Sequence, residues 1–134
     1  MKSHSCAKLC GVTLPLYQAK AEFFRTLGHP ARIRILELLA EGELAVHELL
    51  EQVEIEPSNL SQQLAVLRHA GLVTQRRQGG EVFYAIAVRE VRDLLLAARR
   101  ILLGLIEDHD LLKPELGGQA TLELPIRTRR VTAP

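Results

Sequence analysis

In the segment PSNLSQQLAVLRHAGLV, residues 57–73, Leu60, Leu64 and Leu67 recur at helical spacing. They turn one stripe towards a core. The other face carries Ser58, Asn59, Ser61, Gln62, Gln63 and Arg68, which are hydrogen-bonding groups without an acid among them. An ordinary solvated helix surface is built from Glu and Lys, and neither occurs between Pro57 and Gly80. A helix with an apolar back and a neutral donor–acceptor front limits both the fold around it and the partner that meets it.

The segments around this helix are helical as well. Aromatic residues make up only 4% of the chain and Trp is absent, so the core is built from Leu, Ile, Val and Ala, a mixture suited to helices packed on helices. Residues 16–27 present Leu16, Ala19, Phe23, Phe24 and Leu27 on one face and stop at Gly28. Pro30 opens a second helix over residues 30–40, with Ile33, Leu36 and Leu39 inward, Ile35 and Leu38 beside them, and Gly42 as its C-cap. Residues 46–53 give a third, with Val46, Leu49, Leu50 and Val53 inward. After the turn IEPS, Ser58 is expected to cap the polar helix, and Gly71 to close it.

The period then changes to that of strands. LVTQRR and EVFYAIA flank QGG, a hairpin signal with Gly79 and Gly80 at its tip. The longest helix follows over residues 88–106. Val91, Leu94, Leu95, Ala98, Leu102 and Leu105 form one stripe, and Leu96, Ile101, Leu103 and Ile106 extend it beyond what a small domain covers by itself. A second subunit is the simplest cover. The division expected is a flexible arm over residues 1–15, a domain over residues 16–106 and a mostly irregular tail over residues 107–134, with LELPIRTRR as a short extended segment at most.

Helix, helix, helix, turn, polar helix, hairpin and long helix is the order of a winged helix-turn-helix. Base edges in the DNA major groove present donors and acceptors that Asn, Gln, Ser and Arg side chains match, whereas acids there are repelled by phosphate. The charge distribution agrees. No acid lies between Glu56 and Glu81 while Arg68, Arg76 and Arg77 do, although the formal net charge of the chain is only +1. Ser58, Asn59, Ser61, Gln62 and Gln63 are the expected base readers. Arg68 is expected on the phosphate backbone, and Arg76, Arg77 and Gln78 on the backbone or in the adjacent minor groove.

FFRTLGHPARIRILELLAEGELAVHELLEQ followed by SNLSQQLAVLRHAGLVTQRRQGGEVFYAI resembles the ArsR/SmtB family of bacterial winged-helix repressors. Three parts carry the resemblance: LGHPARIRIL, the SNLSQQLAVLRHAGLV helix, and the Gly-rich wing ending at Tyr84. It spans residues 16–106. It implies a mainly α fold with a small β-hairpin, dimerised through the first and last helices, and here Leu16, Phe23, Val91, Leu94, Leu95, Ala98, Leu102 and Leu105 are the expected interface. It also implies an imperfect palindromic operator of double-stranded DNA and an effector that relieves repression.

The family's metal sites map onto this chain unevenly. At the thiol-bearing motif of the third helix stand Ala45 and His47, so no thiol pair forms there, although His47 keeps a donor nitrogen. At the site on the last helix stand Val88, Glu90, Ile101 and Gly104, and three of these bind no metal. His4, Cys6 and Cys10 remain in the arm. Some members bring an amino-terminal Cys pair onto the third helix, which would let Cys6, Cys10 and His47 hold a thiophilic ion such as zinc, cadmium, lead or arsenic(III). The same thiols can instead act as a redox switch, or do nothing. EDHD, residues 107–110, reads as a solvated helix end.

Enzyme chemistry finds no support: there is no Gly-rich phosphate loop after a strand, no nucleophile elbow and no HExxH pair. No apolar run is long enough for a membrane or a signal peptide, so a cytoplasmic regulator is expected. The rival is a winged helix that docks onto protein instead of DNA.

Overall fold

The computed structural model describes residues 13–105, together with the backbone of residues 112–114 and 120–122. Helix α1 runs Leu16–Leu27 and ends where the Gly28 N–H donates back to the Phe24 and Arg25 carbonyls. His29 then starts α2, Pro30–Ala40: its Nδ1 accepts from the Ala31 N–H at 3.1 Å, and Pro30, which has no N–H to satisfy, occupies the first turn. Glu41, not Gly42, is the C-cap of α2.

Strand β1, Leu44–Ala45, leads directly into α3, Val46–Val53. The Glu48 carboxylate accepts from the Ala45 N–H at 2.9 Å, which ties the strand to the first turn of the helix. Helix α4, Pro57–His69, starts two residues earlier than a Ser58 cap would place it. Pro57 fits the first helical position, so Glu56 is the N-cap and Ser58 falls inside the first turn without capping it. At the other end, Gly71 N–H bonds to the Arg68 carbonyl and Leu72 N–H to the Leu67 carbonyl, both at 3.0 Å. Gly71 adopts φ +78°, the left-handed residue that this Schellman closure requires.

Strands β2, Val73–Gln78, and β3, Glu81–Ile86, pair antiparallel from Val73↔Ile86 to Gln78↔Glu81. Gly79 and Gly80 sit at φ +58° and +80°, as a two-residue primed turn demands. The hairpin is part of a three-stranded sheet in the order β1-β3-β2, with Leu44 opposite Tyr84 and Ala45 opposite Phe83. A two-residue strand carries no readable period, which is why only the hairpin was legible in the sequence.

Helix α2 is the hub of this part, packing against α1, α3, α4 and β3. The interior holds Ile35, Leu36, Leu49, Leu60, Leu64 and Leu67, with Tyr84 from the sheet and Val91 from the start of α5. Each such aliphatic side chain contributes about 1.5–3 kcal/mol relative to full exposure. Helix α5 runs Glu90–Leu105. The chain divides into two compact units, residues 1–92 and residues 93–134. In the second, β4 (Leu112–Pro114) pairs antiparallel with β5 (Ala120–Leu122), which meets the suggested extended segment LELPIRTRR only at Leu122. No helix among the described residues is long and apolar enough to cross a membrane.

Candidate nucleic-acid interface

The buried stripe of α4 is wider than its three leucines. Gln63 lies between Leu60 and Leu67 on the helical period and is only 8% exposed. Its expected place among the outward readers is therefore corrected: Gln63 faces the body of the domain. There its Oε1 accepts from Arg32 Nε at 2.9 Å, and its Nε2 donates to Asn59 Oδ1, one turn earlier, also at 2.9 Å. The i, i+3, i+4 rule applied to Leu60 and Leu67 would have found it.

Ser58, Ser61 and Gln62 are exposed on the first two turns of α4, and Asn59 is half-buried at their edge. Arg68 is exposed near the end of the helix, and its guanidinium donates to the Gln75 side chain on β2. That bond links the polar helix to the wing.

On the wing, Arg76, Arg77 and Gln78 are all exposed. Arg76 is engaged on every side. Its Nε and Nη2 reach the two Glu43 oxygens at 3.0 and 2.6 Å, its Nη1 donates to Gln78, and its guanidinium carbon lies 4.6 Å from the centre of the Phe83 ring. The hydrogen bonds from Arg76 hold the Glu43 carboxyl below its ordinary range, and the same bonds raise the guanidinium. An acid from the loop before β1 thus competes with any phosphate for this arginine. Arg77 makes no side-chain hydrogen bond among the described residues.

His47, exposed in the first turn of α3, places Nδ1 3.1 Å from Oε1 of Glu81, the residue that follows the turn at the tip of the wing. Ala45, the other position compared with the family's thiol motif, is buried. Among the described residues there is no cluster of three metal-ligating groups. Cys6, Cys10, His4 and the EDHD segment lie outside the described residues.

The expected dimer residues fall into three groups. Leu16, Ala98, Leu102 and Leu105 are exposed, with Leu16 at 70% and Leu105 at 74%, while Phe23, Leu94 and Leu95 are half-buried. Phe23 stacks edge-on with the more exposed Phe24, their ring centres 5.6 Å apart. Val91 is corrected: at 2% exposure it is covered within its own chain and leaves nothing for a partner to bury.

Comparison with known proteins joins this geometry to a family. Residues 29–75, from the cap of α2 through α4 into β2, match the family described as bacterial regulatory protein, arsR family. The helix-turn-helix-type transcriptional regulator Rv0081 of Mycobacterium tuberculosis is 53% identical over 110 residues, covering 80% of this chain and 96% of that protein. The chain belongs to the arsR family. The crystal structure of Rv0081 superposes with a TM-score of 0.66 over 72% of this chain and 97% of that one. A biofilm growth-associated repressor of Agrobacterium fabrum is 39% identical over 64% of this chain and 77% of its own length. The solution structure of a homodimeric winged helix-turn-helix DNA-binding domain from Mycobacterium bovis is 30% identical, with a TM-score of 0.62 over 71% of this chain and 88% of that one. As an arsR-family protein with this winged helix, the chain is a DNA-binding transcriptional regulator.

Arg32, Glu43, Gln75 and Phe83 were missed by the sequence reading. Arg32 and Glu43 act on partners distant along the chain, Gln63 and Arg76, whereas Gln75 and Phe83 each lie seven residues from theirs, and Phe83 faces Arg76 in the hairpin register. No local pattern encodes the two long-range pairs.

Proposed function

We propose that this arsR-family protein is a cytoplasmic repressor that binds operator DNA as a homodimer. The observation that carries the reading is the outward face of α4, where Ser58, Asn59, Ser61 and Gln62 offer amide and hydroxyl groups with no acid among them. In this reading Gln62, Ser61, Ser58 and Asn59 meet base edges, and Arg68, Arg76, Arg77 and Gln78 meet the phosphate backbone on either side.

Two exposed apolar faces support a second copy. On α1, Leu16, Tyr17 and Phe24 are exposed; on α5, Leu96, Ile101, Leu102 and Leu105 are. Water-facing leucines at that density are covered in a stable regulator. Relief of repression is assigned to Cys6 and Cys10, through a thiophilic ion or thiol oxidation, with His47 as an additional nitrogen donor. A Cys6→Ser, Cys10→Ser variant then keeps DNA bound when metal or oxidant is added.

The test uses the full chain against its own upstream region and against random duplex. Preference for the former, falling steeply as salt rises, is expected. Equal binding to both overturns the reading, and salt-insensitive capture of a protein partner favours the docking alternative. In the same experiment Leu102→Glu yields monomers with weak operator binding; an intact dimer in light scattering removes the proposed interface.

A further inference from the structure

Arg32, Gln63 and Asn59 form a line of hydrogen bonds from the interior of the domain to the DNA-facing edge of α4. Arg32 Nη1 donates to the Thr26 carbonyl at 3.0 Å and its Nε donates to Gln63 Oε1 at 2.9 Å. Gln63 Nε2 then donates to Asn59 Oδ1 at 2.9 Å. All three side chains are shielded in part, and Gln63 is the buried member.

The line has a direction, and chemistry fixes it. A guanidinium has donors and no acceptor, so Gln63 must turn its carbonyl to Arg32. Its amide nitrogen is then the end that reaches Asn59, and a nitrogen of that kind only donates. Asn59 must answer with its carbonyl. The end of Asn59 left to face outward is Nδ2, with its two N–H donors.

An unrestrained asparagine is free to turn its amide over and pair with adenine, donating to N7 while accepting from N6. Here that rotation would set Nδ2 against Gln63 Nε2 and strand a buried donor. We propose that Arg32 and Gln63 are positioning residues that hold Asn59 as a donor-only reader, selecting guanine or thymine over adenine at the base it faces. Guanine offers such a group two acceptors, N7 and O6, and thymine offers O4, whereas adenine offers N7 alone beside an N6 amino group from which a donor-only side chain cannot accept. The proposal rests on α4 being the DNA-facing helix.

Binding-site selection from random duplexes with the full chain tests it. Asn59→Ala should lose discrimination of about tenfold at one base position, and the native preference there should be guanine or thymine. Gln63→Glu keeps the shape and the bond from Arg32 but replaces the donor with an acceptor. Asn59 should then reverse its amide, and the preference at that single position should move to adenine or cytosine, which offer amino donors. Should Gln63→Glu not fold, Arg32→Met breaks the same line, and adenine should become tolerated at that position while all others stay unchanged.

Adenine at the Asn59 position in the native consensus overturns the proposal. So does an unchanged preference in Gln63→Glu, or a uniform loss of affinity over all sequences, which is what a merely structural Gln63 would give. Failure of the native protein to enrich any consensus sinks instead the DNA-reading role of α4 itself, so the two failures are distinguishable.

Discussion

Helix α4 and the β2–β3 hairpin carry similar polar groups, yet they hold them by opposite means. On α4 the side chains stand on a buried floor of Leu60, Leu64 and Leu67, and the orientation of Asn59 is set from inside through Gln63. On the hairpin, Arg76 is held from outside by Glu43, in contact with solvent on a strand whose backbone is fixed but whose side chains are not enclosed. A shielded neutral hydrogen bond resists salt and keeps one geometry; an exposed ion pair is screened and exchanges readily for a phosphate. The contrast suits a helix that must discriminate and a wing that needs only to hold.

Removing the floor is the most damaging way to break the contrast. Leu64 is 1% exposed, and Leu64→Ala should cost about 2–5 kcal/mol in urea denaturation. A cost near zero would mean that α4 is not braced by its leucines and that its polar face has no fixed geometry. On the wing, Gly80 at φ +80° lies where a side chain is strained, so Gly80→Ala should destabilise the protein by about 1–2 kcal/mol, read in the same denaturation. Operator affinity should fall with it and base preference should not. A changed consensus would mean that the wing tip reads sequence.

The smallest effect is the most informative about the wing. Glu43→Gln releases Arg76 and removes an anion, so operator affinity should rise by a few fold and the salt dependence should steepen by about one phosphate contact. Unchanged affinity would show that Arg76 does not face DNA. The pH response has a definite sign. Because Arg76 holds the Glu43 carboxyl below its ordinary value, the pair's contribution to stability is complete above the unfolded carboxylate value and is lost as pH falls through the lower folded one. Over that acidic window the urea midpoint of the native protein should fall more than that of Glu43→Gln; parallel curves would show that the pair does not contribute.

Much of the fold was legible because its elements announce themselves locally. Helices α1, α2 and α3 start and stop at Leu16, Leu27, Pro30, Ala40, Val46 and Val53, where the apolar period begins or ends. The Gly79-Gly80 turn places the hairpin in register. The errors have separate causes. Ser58 yielded the cap position to the residue before Pro57, Gln63 was assigned by residue type instead of by its place on the helical period, and Val91 was given to a partner although its own chain covers it.

The sequence by itself determined the helical framework, the hairpin and the acid-free polar surface of α4, because periodicity, turn residues and charge act over a few neighbours along the chain. Tertiary structure alone decided which of those polar groups face outward and which are already engaged. Gln63 meets Arg32 and Arg76 meets Glu43 only once α2, α4 and the sheet have packed, and a side chain's remaining hydrogen-bonding capacity depends on the partners that packing brings to it.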